Sequence, residues 1–238
     1  MGTGFTTNGM STLSTSTLAA RSHTIKATFA GDATFKSSSG TVTQVVNLYT
    51  STTSLPTSSL NPSIYGQAVT LGTTVTSAAP SNPAGTAVFK NGNTWLASGT
   101  LSSTGVATAT LKTLPAGSLS ITATYNGDSE TAKSTSAALS QTVTPATSTT
   151  TLKSSLNPSS TGQTVTFTAT VTSPTTTPTG TVTFMDGNTT LGTVTLSGGK
   201  GAFSTATLGA GAHNISAVYN GTLNIKGSTS ATLVQNVN

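Results

Sequence analysis

The stretch Ser59-Leu60-Asn61-Pro62-Ser63, followed by Gly66-Gln67, decides the fold because it occurs twice in the chain. It returns with an offset of 96 residues, from 59 to 155, as Ser155-Leu156-Asn157-Pro158-Ser159 followed by Gly162-Gln163. Self-similarity at a fixed period is the signature of an array of like units. The chain is therefore expected to be built from repeats of about 95 residues.

A second landmark marks three copies of one corner, in which an aromatic residue precedes a glycine by two positions. The copies are Phe29-Ala30-Gly31-Asp32, Tyr125-Asn126-Gly127-Asp128 and Tyr219-Asn220-Gly221. The corner occurs three times and the Leu-Asn-Pro-Ser stretch only twice, so the first copy lacks the front of a repeat. We therefore expect an incomplete, three-stranded unit at 1–48 and two complete units at 52–144 and 147–238.

The third copy shows the strand pattern most clearly. Four apolar residues alternate with threonine, which predicts a strand with one buried face: Val165, Phe167, Ala169 and Val171. Asp186-Gly187 then predicts a hairpin turn. Seven short strands fit into this copy, and no helical period is present. We therefore predict an all-β fold of tandem immunoglobulin-like β-sandwiches, two of them complete and one an N-terminal half repeat.

Charge and cysteine content argue against several classes of protein. The chain has 9 Lys and Arg residues against 4 acidic residues, a net charge of +5 and a pI near 9.7. The basic residues are scattered, whereas a nucleic-acid surface needs them clustered. Without cysteine there is no disulfide, thiol nucleophile or sulfur-based zinc site. No segment has the apolar length that spans a bilayer, so we expect neither nucleic-acid binding nor membrane insertion.

The two histidines invite a hydrolase interpretation, and the repeat argues against it. His23 and His213 occupy one equivalent strand position, which Leu119 fills in the middle copy. A residue that is exchanged for leucine is expected to pack at a strand start rather than to act as a general base. We therefore predict no catalytic residue and no enzyme activity.

The acidic residues fall at turns. Asp32 and Asp128 share the glycine corner, where Thr222 stands in the last copy, and Asp186 lies at a hairpin. Turn chemistry accounts for all of these positions. Glu130 lies two residues after Asp128, but Ca²⁺ takes about six to eight oxygen ligands and this neighbourhood offers only two acids. We predict no metal site and no cofactor.

Trp95 is the candidate binding residue. Its counterpart in the third copy is Thr190, so the fold does not require an indole there. Together with Asn91 and Asn93 of the adjoining hairpin, Trp95 is suited to stack on a sugar ring. The alternative, which we favour from the sequence, is that Trp95 packs at a sheet rim or against a neighbouring domain.

Taken together, these motifs resemble the bacterial Ig-like repeats of group 3. The resemblance rests on Leu-Asn-Pro-Ser with Gly-Gln and on the strand of alternating valine and threonine. It rests also on Gly180-Thr181-Val182 ahead of Phe184, on the turn Asp186-Gly187 and on the closing segment that begins at Ser228-Thr229-Ser230. It covers nearly the whole chain.

Repeats of this family resemble stalks and accessory domains of bacterial surface proteins, adhesins and secreted enzymes. The resemblance implies a non-enzymatic spacer or adhesion module, extracellular or at the cell surface, with an export signal outside residues 1–238. The alternative is a carbohydrate-binding accessory module of a secreted enzyme, with Trp95 as the stacking residue. The implied partners are a cell-surface or matrix polysaccharide or a host protein.

The half repeat at 1–48 is expected to leave one apolar face uncovered, formed by Ile25, Ala27, Phe29, Val42 and Val46. Isolated strands rarely leave such a face in water. We expect a monomeric fragment of a longer chain whose missing strands lie upstream of Met1, with this segment as its weakest part. The alternative is that another subunit donates the missing strands.

Overall fold

The computed structural model describes residues 8–238 and shows an all-β protein, as the period-2 alternation predicts. Within this range every regular element is a strand, and the search for a helix of membrane-spanning length and hydropathy is negative. The strands, β1 to β20, fall into three groups that follow the three copies in the sequence. We call these groups the first, second and third repeats.

The first repeat is a two-stranded antiparallel hairpin of β1 (Ser22–Phe29) and β2 (Ser38–Val45). The prediction of three strands in this unit is therefore wrong for the described residues. The missing strand would lie at 10–15, which corresponds to 106–111 in the second repeat. There the segment is a strand because it pairs with Val69–Ser77 of the opposite sheet, and the described part of the first repeat has no counterpart to that partner.

The second repeat forms two sheets that pack face to face. Its strands are β3 (Ser51–Thr53), β4 (Thr57–Ser58), β5 (Ser63–Ile64), β6 (Val69–Ser77), β7 (Thr86–Asn91), β8 (Thr94–Thr100), β9 (Val106–Leu111), β10 (Gly117–Tyr125), β11 (Ser134–Thr135) and β12 (Leu139–Thr144). One sheet has the order β5-β12-β10-β7-β8, with β11 also paired to β10. The other has the order β3-β6-β4, with β9 also paired to β6.

The third repeat has the same plan. Its strands are β13 (Thr149–Ser154), β14 (Val165–Thr172), β15 (Thr181–Asp186), β16 (Thr189–Thr195), β17 (Lys200–Thr205), β18 (Gly211–Tyr219), β19 (Ser228–Thr229) and β20 (Leu233–Val237). One sheet has the order β13-β14-β17. The other has the order β16-β15-β18-β19, with β20 also paired to β18. Antiparallel sheets in two packed layers are the immunoglobulin-like architecture.

The core of each complete repeat lies between its two sheets. Along β14 the apolar residues are buried and the threonines between them point outward, so the strand alternates as the sequence predicts. Fully buried aromatic residues hold the middle of each core: Phe89 and Tyr125 in the second repeat, Phe167, Phe184 and Tyr219 in the third. Burying one such side chain stabilises the fold by about 1.5–3 kcal/mol.

A β-bulge at the same place in both complete repeats turns an extra leucine into the core. The pairing of β7 with β8 shifts between Phe89 and Lys90, and that of β15 with β16 shifts in the equivalent position. Leu96 and Leu191 are the residues that the shift leaves without a cross-strand partner, and both pack against the core. A bulge of this kind re-aims the neighbouring side chains.

The second and third repeats touch through a small set of contacts. The Thr175 hydroxyl donates to the backbone oxygen of Tyr65 at 2.6 Å, and the Tyr65 ring packs against the cores of both repeats. On the same junction the backbone N–H of Ala116 donates to Oδ1 of Asn224 at 2.9 Å. The junction between the second and third repeats therefore combines hydrogen bonds with side-chain packing.

Candidate functional site

The recurring Leu-Asn-Pro-Ser stretch holds the closing strand of the sandwich. In the second repeat the Asn61 side chain donates through Nδ2 to the backbone oxygen of Ser140 at 2.8 Å and accepts the N–H of Thr142 on Oδ1 at 3.0 Å. An amide side chain offers the same donor and acceptor pair as the backbone. Asn61 therefore extends the sheet by acting as one more strand residue beside β12.

A buried glutamine on the closing strand completes this arrangement. Gln141 is 0% exposed, and its Nε2 donates to the backbone oxygen of Leu60 at 3.0 Å and to Ser63 Oγ at 3.3 Å. We call the hydrogen bonds of Asn61 and Gln141 the closing contacts. Buried polar groups need such partners, because an unpaired one costs about 1–3 kcal/mol. The most repetitive motif in the sequence therefore has a structural role.

The third repeat has the same closing contacts. Asn157 bonds to the backbone of Val234 and Asn236, and Gln235 donates to Leu156 and Ser159. The recurrence of a glutamine two residues before a valine near the end of each repeat was the available signal for these residues. In the sequence it supports the family resemblance, and no structural role is predicted from it. Two independent copies with one set of bonds show that the geometry belongs to the fold.

Asp128 organises the glycine corner of the second repeat. Its Oδ1 accepts the backbone N–H of Glu130 and of Thr131, and its Oδ2 accepts the Ala84 N–H at 2.9 Å and the Tyr125 hydroxyl at 2.8 Å. Burial alone would raise the pKa of Asp128, but these hydrogen bonds outweigh it and lower the pKa to about 2. The carboxylate is fully occupied within the fold.

The other copies of the corner use the same chemistry. Asp32 accepts the N–H groups of Thr34 and Phe35, each at 2.7 Å, and the Thr222 hydroxyl accepts two backbone N–H groups at 3.1–3.2 Å. This is the turn chemistry that the sequence predicts. The Glu130 carboxylate accepts the Ser81 hydroxyl. Residues 8–238 contain no group of three or more potential metal-binding side chains.

His213 makes a contact that the sequence interpretation missed. Its Nδ1 lies 2.6 Å from Oδ2 of Asp186 and its Nε2 lies 2.9 Å from the backbone oxygen of Gly209. A carboxylate and a carbonyl can only accept, so this geometry stabilises the protonated ring, in which both ring nitrogens donate. The Asp186 carboxylate and the Gly209 carbonyl raise the pKa of His213. Because both ring nitrogens are hydrogen-bonded within the fold, His213 is not placed to act as a general base.

The prediction that His213 only packs at a strand start is therefore incomplete. Asp186 accepts the backbone N–H of Asn214 on Oδ1, which is the turn role expected of it, and its second oxygen binds the His213 ring. In the second repeat Asn91 keeps the turn role by accepting the N–H of Ser120. The second repeat has no such ion pair, because Leu119 stands there in place of His213.

Trp95 lies on the outer face of the edge strand β8 with 61% of its surface exposed. The favoured expectation is that Trp95 packs at a sheet rim or against a neighbouring domain. Trp95 does lie at the rim of the sheet, but the bulge gives the inward position to Leu96 and leaves Trp95 opposite Lys90 and largely exposed. Asn93 lies beside it at the exposed hairpin turn, whereas the side-chain oxygen of Asn91 is already bonded to Ser120.

Each complete repeat packs two sheets face to face, and the closing contacts hold its last strand. Repeated along one chain, this architecture defines a tandem Ig-like module protein. The family model of the bacterial Ig-like domain (group 3) matches residues 55–144 and 152–238. The chain belongs to this family. The resemblance inferred from the motifs is confirmed.

The chain also resembles solved structures at low sequence identity. No curated protein matches it. Among solved structures it is similar to the fibronectin(III)-like modules of Clostridium thermocellum CbhA, at 16% identity over 76% of this chain and 92% of that chain, with a TM-score of 0.32. It is also similar to the Escherichia coli adhesin FdeC, at 17% identity over 83% of this chain and 68% of that chain, with a TM-score of 0.33.

Proposed function

We propose that this chain is a non-enzymatic spacer or adhesion module of an extracellular bacterial surface protein. Its membership of the bacterial Ig-like family supports the proposal. The observation that carries it is that the side chains suited to catalysis are already hydrogen-bonded within the fold. Asp128 has both carboxylate oxygens bonded, and His213 has both ring nitrogens bonded. A module of this kind works by its shape and its outer surface.

The junction between the second and third repeats favours the spacer role. Tyr65 contacts both cores and Thr175 binds its backbone oxygen, so successive repeats are attached by more than their linker. In an array, each repeat contacts only its neighbours. We expect solution scattering from the full chain to give an elongated particle. A compact particle with the two complete repeats side by side would contradict the spacer role.

Carbohydrate binding is the second candidate function, and the exposure of Trp95 is the observation that favours it. An exposed indole on an outer sheet face is suited to stacking against the apolar face of a sugar ring. The partner would be a cell-surface or matrix polysaccharide. If the partner is instead a host protein, it would bind the same outer face around Trp95. Nucleic acid is not proposed as a partner, since the basic residues are scattered.

The two roles can be separated with the only tryptophan of the chain. Titration with soluble polysaccharides should change the Trp95 fluorescence if the indole stacks on sugar, and Trp95→Ala should abolish retention on the immobilised polymer. Thr190→Ala is the matched control, because Thr190 holds the same place in the third repeat. Unchanged fluorescence across a panel of bacterial and host glycans would contradict carbohydrate binding and leave the spacer role in place.

A further inference from the structure

Lys90 and Trp95 lie side by side on the outer face of the hairpin formed by β7 and β8. The strand pairing places Lys90 directly opposite Trp95. Directly opposite residues of an antiparallel pair project from the same face of the sheet, with their Cβ atoms about 4.5–5.5 Å apart. Trp95 is exposed and Lys90 is half-buried. An aromatic ring and a cation are therefore neighbours on the surface of the second repeat.

The third repeat shows that the fold requires neither side chain. Met185 stands there in the place of Lys90. Thr190, its cross-strand partner, stands in the place of Trp95, and its hydroxyl donates to the Met185 sulfur at 3.4 Å. That hydrogen bond shows that side chains at these two positions reach each other across the strands. Of the two complete repeats, only the second combines the ring with the charge.

The positive charge of Lys90 is not neutralised by an acidic side chain. In the described part of the chain the only ion pair joins His213 to Asp186. The acids of the second repeat, Asp128 and Glu130, lie beyond the end of β10 and are hydrogen-bonded there. The whole chain carries a net charge of +5. This face of the second repeat is therefore complementary to a negatively charged ligand.

The side chains around the pair are short and hydroxylated. Thr122 of β10 is the cross-strand neighbour of Lys90 on its other side, and Ser98 is exposed on β8. Hydroxyl groups can donate to and accept from the hydroxyl groups of a sugar. The one pair of contacting aromatic rings within residues 8–238 is Phe184 with Phe203, so no second ring covers the indole. The indole is open to a flat ligand.

We propose that Lys90, Trp95, Thr122 and Ser98 form a site, the outer-face site, for an acidic polysaccharide built from uronic acids. The indole stacks on the apolar face of one sugar ring, and the Lys90 ammonium donates to the carboxylate of that ring or of the next. Because the two side chains are adjacent, one or two neighbouring sugar units must present both a ring and a charge. The inference rests on carbohydrate binding, the second candidate function, and names its substrate class.

The test compares acidic oligosaccharides with their uncharged esters. The probes are oligomers of galacturonic acid and of glucuronic acid, each as the free acid and as the methyl ester, which keeps the ring and removes the charge. Titration of the full chain at low ionic strength is followed by Trp95 fluorescence and by calorimetry. We expect the acids to bind about fivefold more tightly than the esters, as one exposed charge contact allows. Added salt should remove this difference.

Substitutions taken from the third repeat separate the charge from the ring, and that repeat folds with them in place. Lys90→Met should equalise the affinities for acid and ester, because the ammonium is the source of the preference. Trp95→Thr should abolish the binding of both in calorimetry. Lys112→Met is the matched control, since Lys112 is an exposed lysine that follows β9 of the other sheet. It should keep the full preference for the acids.

Four results would overturn the inference, and they differ in what they leave standing. Equal affinity of the wild type for acids and esters would refute the uronic acid assignment and leave carbohydrate binding in place. An equal loss of preference in Lys112→Met would assign it to the overall charge. Equally tight binding of a ring-free glycerol phosphate polymer would show that charge alone is recognised. The absence of any response to acids and esters alike would contradict carbohydrate binding itself.

Discussion

Gln141 is the residue on which closure of the second repeat depends most directly. Its amide nitrogen bonds to Leu60 and Ser63 inside the sandwich, and its removal deprives both acceptors of this donor and leaves Leu60 with the Ser58 hydroxyl alone. We expect Gln141→Ala to lower the free energy of unfolding of the second repeat by about 2–4 kcal/mol. Urea denaturation followed by Trp95 fluorescence measures this repeat alone, because Trp95 is the only tryptophan.

The first repeat supplies the control for this experiment. Gln44 occupies the same position as Gln141, but its side chain is exposed. Gln44→Ala should therefore leave the urea midpoint reported by Trp95 unchanged. An equal loss of stability in both variants, or no loss in Gln141→Ala, would contradict the role assigned to the closing contacts.

The ion pair of His213 with Asp186 makes the third repeat sensitive to pH. The pKa of His213 is raised in the folded state, so the contact stabilises the fold fully below the unfolded pKa of about 6.5. This stabilisation is lost as the pH rises through the folded pKa. We expect the urea midpoint of β18, followed by amide NMR signals, to fall between neutral and alkaline pH.

His213→Leu tests this assignment, because leucine is the residue that the second repeat carries at the equivalent position. The variant should fold and should lose the fall in the β18 midpoint between neutral and alkaline pH. Retention of the wild-type fall in His213→Leu would assign the pH dependence to another group.

At the residue scale the corners were predictable and the ion pair was not. Asp32, Asp128 and Thr222 stand at one place in the repeat, and turn chemistry follows from their type and their neighbours. His213 and Asp186 are 27 residues apart and come together only through the pairing of β15 with β18. The second repeat has no such pair at these positions, so comparison of the copies gave no warning of it.

Among the elements, β8 approaches β9 of the other sheet closely at Gly99. A Cβ atom added at Gly99 would lie 2.4 Å from the backbone oxygen of Thr108. Gly99→Ala must push the two strands apart, and overpacking of this kind costs about 1–3 kcal/mol. We expect a corresponding loss in the urea midpoint reported by Trp95, which lies on the same strand.

Gly40→Ala is the control, because an added Cβ there meets nothing within 4 Å. It should be neutral for the second repeat. If Gly99→Ala were equally neutral, the close contact between β8 and β9 would not constrain the sandwich.

The strands and their buried faces were predictable because valine and threonine alternate along them, and β14 is the clearest case. The bulge was not predictable, because the single extra residue Leu96 is apolar like its neighbours and does not disturb the pattern. Because of that bulge, Leu96 faces the core and Trp95 is exposed. The third strand of the first repeat was predicted wrongly because it rested on the alignment of 10–15 with 106–111, and that segment is a strand only where its partner is present.

At the scale of the whole molecule, one side-chain hydrogen bond helps to hold the second and third repeats together. Oδ1 of Asn224 accepts the N–H of Ala116 across the junction. We expect Asn224→Ala to increase the independence of the two complete repeats, measured as diverging alignment tensors from residual dipolar couplings. The variant should retain the wild-type urea midpoint of β18, since the lost bond lies between repeats.

Asn220→Ala is the control for the junction experiment, because the Asn220 side chain bonds only to Thr181 and Thr183 within the third repeat. Its alignment tensors should match those of the wild type. The repeat period predicted the array, but it did not predict the junction, since Tyr65 and Asn224 are replaced by Thr161 and Glu130 at the corresponding places of other copies. Identical tensors in the wild type and Asn224→Ala would show that the bond does not restrict the repeats.

One feature of the topology governs how each repeat would respond to traction. The short strand β5 near the start of the second repeat runs parallel to β12 at its end, and Ser159 meets Val237 in the same way in the third. If the chain ends are drawn apart, these neighbours are pulled in opposite directions along their length. Their hydrogen bonds lie across that direction, so they bear the load together in shear and do not open one after another. A tether built from such repeats would resist extension in fluid flow, with the seam closed by Asn61 and Gln141 sharing the load.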